Sequence, residues 1–260
     1  MTTIIEKVYN ARETIIDIYK DYDWDTSTIP KLNISELETM FKNYNSDDPI
    51  IQTMGGGMAF TLRIKHNIIE NHNLVVIFYN LSNSDKKSSK MNKSIIDKIN
   101  QLYLNDYLNN DDSLLILINE SNSESIEKIN HTLNFKLKEN YIISEDIKKY
   151  IFSNINKKSE ENENYNKYKE SYLRNCIIMS LDMFQVNLLK HYLVPKHEII
   201  YDKQEIEELY KKHNMNKNQM PIISKVDNIA KIIRINIGDI CKITRRSEKS
   251  GQNIYYRYCR

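Results

Sequence analysis

The 260 residues contain only three cysteines, five glycines, four prolines and one tryptophan. Cys176, Cys241 and Cys259 are too few and too widely spaced for a zinc ribbon or a disulfide scaffold. Their odd number argues against an oxidising compartment, so they are expected as reduced thiols, with Cys241 and Cys259 half-buried on strands. No apolar run approaches the roughly 20 residues that a membrane span needs. The start, Met1 to Glu6, lacks a basic segment followed by an apolar core, so secretion is not expected. Charge of one sign is also missing in excess: the net charge is +2, which does not mark a nucleic-acid binder that works alone. No Ser/His/Asp, Cys/His or metal-ligand constellation stands out, and no cofactor is expected.

What is present reads as two domains, 1–190 and 191–260, in a mixed α+β and α/β protein. Val8, Ala11, Ile15, Ile18 and Tyr22 recur at helical spacing, with Glu6, Lys7, Arg12 and Glu13 on other faces. After Trp24 and Pro30, Asn33 and Glu36 have the spacing of a capping box ahead of Leu37, Met40, Phe41 and Tyr44. A helical hairpin is predicted. Met54-Gly55-Gly56-Gly57-Met58 invites a phosphate-loop reading, but no Gly-Lys-Ser or Gly-Lys-Thr follows, and a flexible turn into a strand is the better expectation.

Phe60, Leu62 and Ile64 alternate with polar residues as a half-buried strand. Leu74–Phe78 and Leu114–Ile118 are continuously apolar and flank a helix marked by Ile95, Ile99 and Leu102, so they should be parallel strands of a βαβ unit. A polar loop is expected from Ser82 to Ser89. Ile126 and Ile129 suggest a short helix, and Leu133, Phe135 and Leu137 an edge strand. A small mixed sheet results. A polar Lys/Glu/Asn-rich stretch, about 154–169, reads as an insertion whose deletion should leave the fold intact. Phe184, Val186 and Leu188 alternate as a strand leading into the second domain.

Because small mixed sheets also host nucleases, the carboxylates need inspection. Glu145, Asp146 and Lys148 have the residue types of a metal-dependent nuclease, but they sit in a helix-like stretch with no acid at the end of Leu74–Phe78. His66 and His72 lack metal-ligating neighbours and read as solvated loop residues.

In the last seventy residues, Tyr192–Tyr201 is apolar and extended up to Pro195, where the chain should turn. Asp202 with Glu205 has capping-box spacing, Ile206, Leu209 and Tyr210 share a helix face, and Asn214 is a left-handed stop, which predicts a helix of about three turns. Ile229–Ile233 is a second apolar patch. Ile237–Ile243 reads as a strand entered through a glycine turn, Ser247–Gln252 as a six-residue loop, and Ile254–Tyr258 as the returning strand of a hairpin.

The order Leu193-Val194-Pro195-Lys196-His197, Asn218-Gln219-Met220-Pro221, Ala230-Lys231, Gly238, Arg245-Arg246-Ser247-Glu248, Gly251 and Tyr256-Arg257 is similar to the C-terminal half of the fifth subunit of eukaryotic nuclear RNA polymerases. It equally resembles the short archaeal counterpart of that subunit. Asn228, Arg234 and Arg246 depart from that pattern, standing where proline, glycine and proline are typical. The helical hairpin at the start resembles the N-terminal jaw domain of the eukaryotic subunit.

The resemblance implies a non-catalytic subunit of DNA-directed RNA polymerase, with no membrane association. It would dock on the largest subunit, contact other subunits, and form part of the lower jaw near downstream duplex DNA. The implied interface residues are Pro195, His197, Gln219, Pro221, Ala230 and Gly238, then Arg245, Ser247, Glu248, Gly251, Tyr256 and Arg257. Arg63 and Lys65 are the candidates for DNA proximity. Abundant Asn, Ile and Lys with scarce Gly and Pro is the bias of an AT-rich genome, which points to a large DNA virus or a protist. The expected location is a virion or cytoplasmic viral factory in the first case and a nucleus otherwise. The alternative reading is a free-standing DNA-binding protein using Arg245, Arg246 and Arg257 on phosphates.

Overall fold

A computed structural model describes residues 3–22, 24–45, 47–67, 72–81, 90–139, 141 and 173–260. The expected loop at 82–89, Glu145, Asp146, Lys148 and the polar stretch 154–169 lie outside the described residues. The chain divides into two compact units, which among the described residues are 3–141 with 173–187, and 188–260. Both are mixed α+β. No helix among the described residues is long and apolar enough to cross a membrane.

The first unit opens on α1, Ile4–Tyr19, started by a Thr3–Glu6 capping box and burying Val8, Ala11, Ile15 and Ile18. Arg12, expected on an outer face, is buried instead; its guanidinium donates to the carbonyls of Phe60 (3.3 Å) and Pro30 (3.4 Å). Burial pulls its pKa down, and those carbonyls replace the water it gives up. The residues Trp24–Asp25 form strand β1, and α2, Ile34–Asn43, begins at the predicted Asn33–Glu36 capping box.

After helix α3, Pro49–Met54, the glycine run is not a flexible turn. Gly56–Phe60 is a 3-10 helix pressed against strand β3, Asn73–Tyr79. A Cβ on Gly57 would lie 2.2 Å from the Phe78 carbonyl oxygen, so only glycine permits that approach. Phe60 has left the predicted strand for this turn, leaving β2 as Leu62–His66 with alternating burial.

Five strands are ordered β1-β2-β3-β4-β5, where β4 is Ser113–Ile118 and β5 is Cys176–Ser180. The β3/β4 and β4/β5 pairs are parallel, and the β1/β2 and β2/β3 pairs are antiparallel. Alternate residues Val75, Ile77, Leu114, Ile116, Cys176 and Ile178 meet α4, Ser94–Leu104, and α5, Glu124–Glu139, in one buried cluster. Phe78, on the other face, meets Phe60 edge-on at 6.0 Å between ring centroids. Burial on both faces explains why these strands are continuously apolar rather than alternating.

Three further predictions fail here for physical reasons. The proposed edge strand at Leu133–Leu137 is the second half of α5, because Ile126, Ile129, Leu133 and Leu137 step by three and four along one helix face while Phe135 is 65% exposed. No strand forms at Phe184–Leu188: Leu181–Phe184 is a 3-10 turn, Val186 is exposed, and the sheet's last strand lies earlier, at β5. His66 and His72 are not solvated. Both are buried against Trp24, with ring centroids at 4.8 and 5.4 Å.

Edge strand β5 is covered by amides. Asn134 of α5 accepts from the Cys176 N–H (2.9 Å) and donates to its carbonyl (2.6 Å), and Asn122 accepts from the Ser180 N–H. Such side chains occupy groups that would otherwise recruit another strand.

The second unit is a four-stranded sheet ordered β6-β8-β9-β7, with β6 at Lys196–Ile200, β7 at Ile222–Ile223, β8 at Ile240–Ser247 and β9 at Gly251–Cys259. The strand follows Pro195 rather than leading to it; Leu188–Lys190 is a 3-10 turn, and Tyr192 and Leu193 are exposed beyond it. Helix α6, Lys203–His213, has Asp202 as its N-cap, but the carboxylate accepts from the Gln204 amide (2.9 Å) instead of forming the expected box with Glu205; the helix ends at Asn214 with φ 44°, as predicted. Its Leu209 packs with Ile200, Met220 and Ile240. A short helix α7, Asn228–Ile232, buries Ala230 and Ile232.

Candidate subunit interface

The β8–β9 hairpin is the largest continuous feature of this unit. Its ladder runs from Ile240↔Tyr258 to Ser247↔Gly251, so the loop is Glu248-Lys249-Ser250, three residues rather than the six expected. Gly251 closes it at φ 73°, the left-handed conformation that three-residue hairpins place after the turn. The Ser250 N–H donates to Ser247 Oγ at 3.4 Å.

Arg245, Ser247, Glu248 and Gly251 are thus gathered at the hairpin's outer end, and Tyr256 and Arg257 lie mid-strand. Tyr256 packs beside the α6 cluster. Arg257 donates to the Ile222 carbonyl at 3.2 Å, tying β9 to β7.

Pro195 and His197 meet directly. His197 Nδ1–H donates to the Pro195 carbonyl at 2.7 Å. Burial pushes the His197 pKa down, against a smaller upward pull from that bond and from Asp227, so the ring is neutral at physiological pH. His197 opposes Ile243, which opposes Tyr255 in turn, and the three form one row across the sheet.

The remaining candidates sit elsewhere. Gln219 accepts from the Asn216 N–H (2.8 Å) within its own turn, and the Pro221 carbonyl accepts from the Tyr258 N–H (2.8 Å). Gly238 has φ 94°, and its N–H donates to the Cys259 carbonyl (3.0 Å). The Ala230 side chain is fully buried in the unit's own packing.

Arg234, which stands where the resemblance expects glycine, has φ 59°. The backbone there keeps a glycine-like conformation although a larger residue fills it, at a cost on the order of 1 kcal/mol. Asn228 occupies the first position of α7, a place that proline also favours.

Cys241 and Cys259 are fully buried rather than half-buried. Burial pushes their thiols up to about 12 and about 11, which leaves them protonated and chemically quiet.

Sequence reasoning passed over Tyr255, 48% exposed on the same face as Arg257. The signal was available, since residues two apart on a strand share a face.

In the first unit, Lys65 is exposed opposite Asp25. Arg63 is engaged within the fold: it donates to the Tyr107 carbonyl, lies over that ring at 5.0 Å, and sits 3.6 Å from Asp112. Asp112 is fully buried and also accepts from Asn73 (2.8 Å) and from the Asn109 N–H (3.0 Å). Burial raises its pKa despite those donors. No cluster of three metal-ligating side chains occurs among the described residues.

Charge divides unevenly between the units. Residues 188–260 carry fifteen Lys and Arg against eight Asp and Glu, net +7, whereas 1–187 carry twenty-two against twenty-seven, net −5.

A family model described as "RNA polymerase Rpb5, C-terminal domain" matches residues 186–259. The chain is similar to the DNA-directed RNA polymerase subunit Rpo5 of Archaeoglobus fulgidus, with 49% identity over 70 residues that cover 27% of this chain and 91% of the relative. The Rpo5 subunit of Nitrosopumilus maritimus is 42% identical over 74 residues, 28% of this chain and 88% of its own. That of Staphylothermus marinus is 43% identical over 72 residues, 28% of this chain and 78% of its own.

Proposed function

This chain belongs to the family of DNA-directed RNA polymerase subunits described as Rpb5 and Rpo5, and from that membership we propose that its C-terminal unit docks on the largest polymerase subunit. The chain is accordingly an accessory subunit of a larger enzyme. One observation carries the docking proposal: seventy residues of this chain match the Archaeoglobus relative over 91% of its length, and the family model puts the shared domain at residues 186–259. A subunit that is almost wholly this domain must make its subunit contacts with it.

The N-terminal unit, in this proposal, forms part of the lower jaw beside downstream DNA. Its paired helices at the start and its mixed sheet support the reading as an architectural domain. Its net charge of −5 limits DNA contact to single exposed cations such as Lys65, because a duplex repels an acidic surface. The interface assignments at Pro195, His197 and the hairpin belong to the same proposal.

Affinity capture of the tagged chain from its source, with identification of the partners, tests this reading. Two very large polymerase subunits should co-purify; their absence would end the proposal. A free-standing DNA-binding protein is the second reading, favoured by the +7 of residues 188–260. It requires tight binding of duplex DNA by the isolated chain with a steep salt dependence.

A further inference from the structure

We infer that one face of the C-terminal hairpin binds an extended acidic segment of a protein partner, with two carboxylates four residues apart and an apolar side chain between them. This rests on the docking proposal above and adds the chemistry of what docks.

Paired residues in a ladder project from the same face. Arg245 opposes Asn253, Ile243 opposes Tyr255, and Cys241 opposes Arg257. Arg245 and Arg257 therefore stand on one face, on either side of the Ile243–Tyr255 pair. Four residues of strand separate their positions, about 14 Å at a rise of about 3.4 Å per residue. An extended partner advances by the same step, so side chains at its first and fifth positions reach the two arginines while the third lies over Tyr255.

The arginines are equipped for this. Arg245 is exposed, and its side chain has no hydrogen-bond or ion-pair partner among the described residues. Arg257 is exposed and steadied by its bond to the Ile222 carbonyl, which uses one donor of a guanidinium that has five. Between them, Asn253 and the His197 ring bring no negative charge. Asp227, the acid that acts on His197, is engaged in capping α7 through the Ile229 and Ala230 amides.

Protein carboxylates suit this face better than phosphates do. Arginine and tyrosine around a small apolar centre are the anchors of protein interfaces. A nucleic-acid backbone calls for a longer cationic track, and the same chain carries net −5 over its first 187 residues.

The test uses the full chain in two assays. Fluorescence anisotropy with labelled Glu-Thr-Leu-Thr-Glu should show saturable binding. The Gln-Thr-Leu-Thr-Gln peptide and the Arg245→Glu variant should each weaken it at least about tenfold, the scale of lost charge-assisted pairs. In affinity capture, Arg245→Glu should lower co-purified polymerase about tenfold at unchanged circular dichroism, and Arg245→Glu with Arg257→Glu should lower it further.

Wild-type co-purification by Arg245→Glu would overturn the inference, whatever the peptide does, and leave the subunit reading intact. Failure of the unaltered chain to capture polymerase would instead sink the subunit reading. Binding of a short DNA duplex more tightly than the peptide, lost on the same substitutions, would reassign the face to nucleic acid and overturn the inference as well. Arg245 is exposed and has no side-chain partner among the described residues, so its variant keeps the test decisive should the double variant fail to fold.

Discussion

Every residue of β4 in the N-terminal unit is buried, whereas β9 in the C-terminal unit buries only Cys259. The first strand lies between two parallel neighbours in a sheet covered on both faces. The second belongs to an antiparallel hairpin with exposed arginines and the exposed Tyr255 along it. The first unit places most of its apolar residues in its own core and leaves Leu104, Phe135 and Val186 exposed on separate elements. The other withholds several, including Ile222, Val226, Ile254 and Tyr255, from the core altogether, and exposed apolar groups among cations are what an interface uses.

Substitutions can break or sharpen that contrast, and the largest effect belongs to the N-terminal core. Ile116→Ala should cost about 4 kcal/mol, because the side chain is fully buried and the cavity cannot be refilled from either face. Chemical denaturation midpoints would show it. A loss near that of an exposed site would mean that the central strand is loosely held.

Gly57→Ala should cost about 3 kcal/mol by the same measurement, since the new methyl would drive into the Phe78 carbonyl. Gly238→Ala should cost only about 1 kcal/mol, because nothing but the Tyr258 hydroxyl lies near the added carbon, at 3.8 Å, and the penalty is that of a positive φ alone. Equal losses at the two glycines would contradict the close packing of the first.

The smallest effect is on pH. His197 has a depressed pKa in the folded chain and an ordinary value of about 6.5 when unfolded. The unfolded state therefore takes up the proton first as pH falls. The histidine's contribution is complete above about 6.5 and is lost as pH drops toward the folded value. Thermal melting from neutral to mildly acidic pH should show a decline that His197→Phe flattens. An unchanged slope in the variant would place the sensitivity elsewhere.

The two units were legible in different ways. In the N-terminal unit, periodicity revealed α1, α2, α4 and the parallel strands β3 and β4, because those elements each present a continuous face to the core. It misassigned Leu133–Leu137, where an alternating triplet is also part of a three-four helical repeat, and only the longer run with Ile126 and Ile129 distinguishes the two. It missed β5, whose place depends on β4 lying beside it. In the C-terminal unit, turn chemistry placed α6 with its stop at Asn214 and a hairpin loop within Ser247–Gln252, since caps and turn residues act locally, but the three-residue length of that loop came from the strand register. The candidate interface was named from residue order, but that order did not reveal which side chains share a face. Tyr255 is the exception, since its two-residue spacing from Arg257 on one strand is legible in the sequence.

The sequence by itself determined the family, through the order of residues from Leu193 to Arg257, and the local elements whose signals lie within a turn or two of chain. Tertiary structure alone decided that Arg12, His66 and His72 are buried, that Gly57 must be glycine, and that Arg63 is engaged by Asp112. Each of those outcomes depends on a partner distant in the chain, and no local pattern specifies such a partner. The pairing of Arg245 and Arg257 across Tyr255 is of the same kind: twelve residues apart in sequence, they are brought to one face by the register of a three-residue turn.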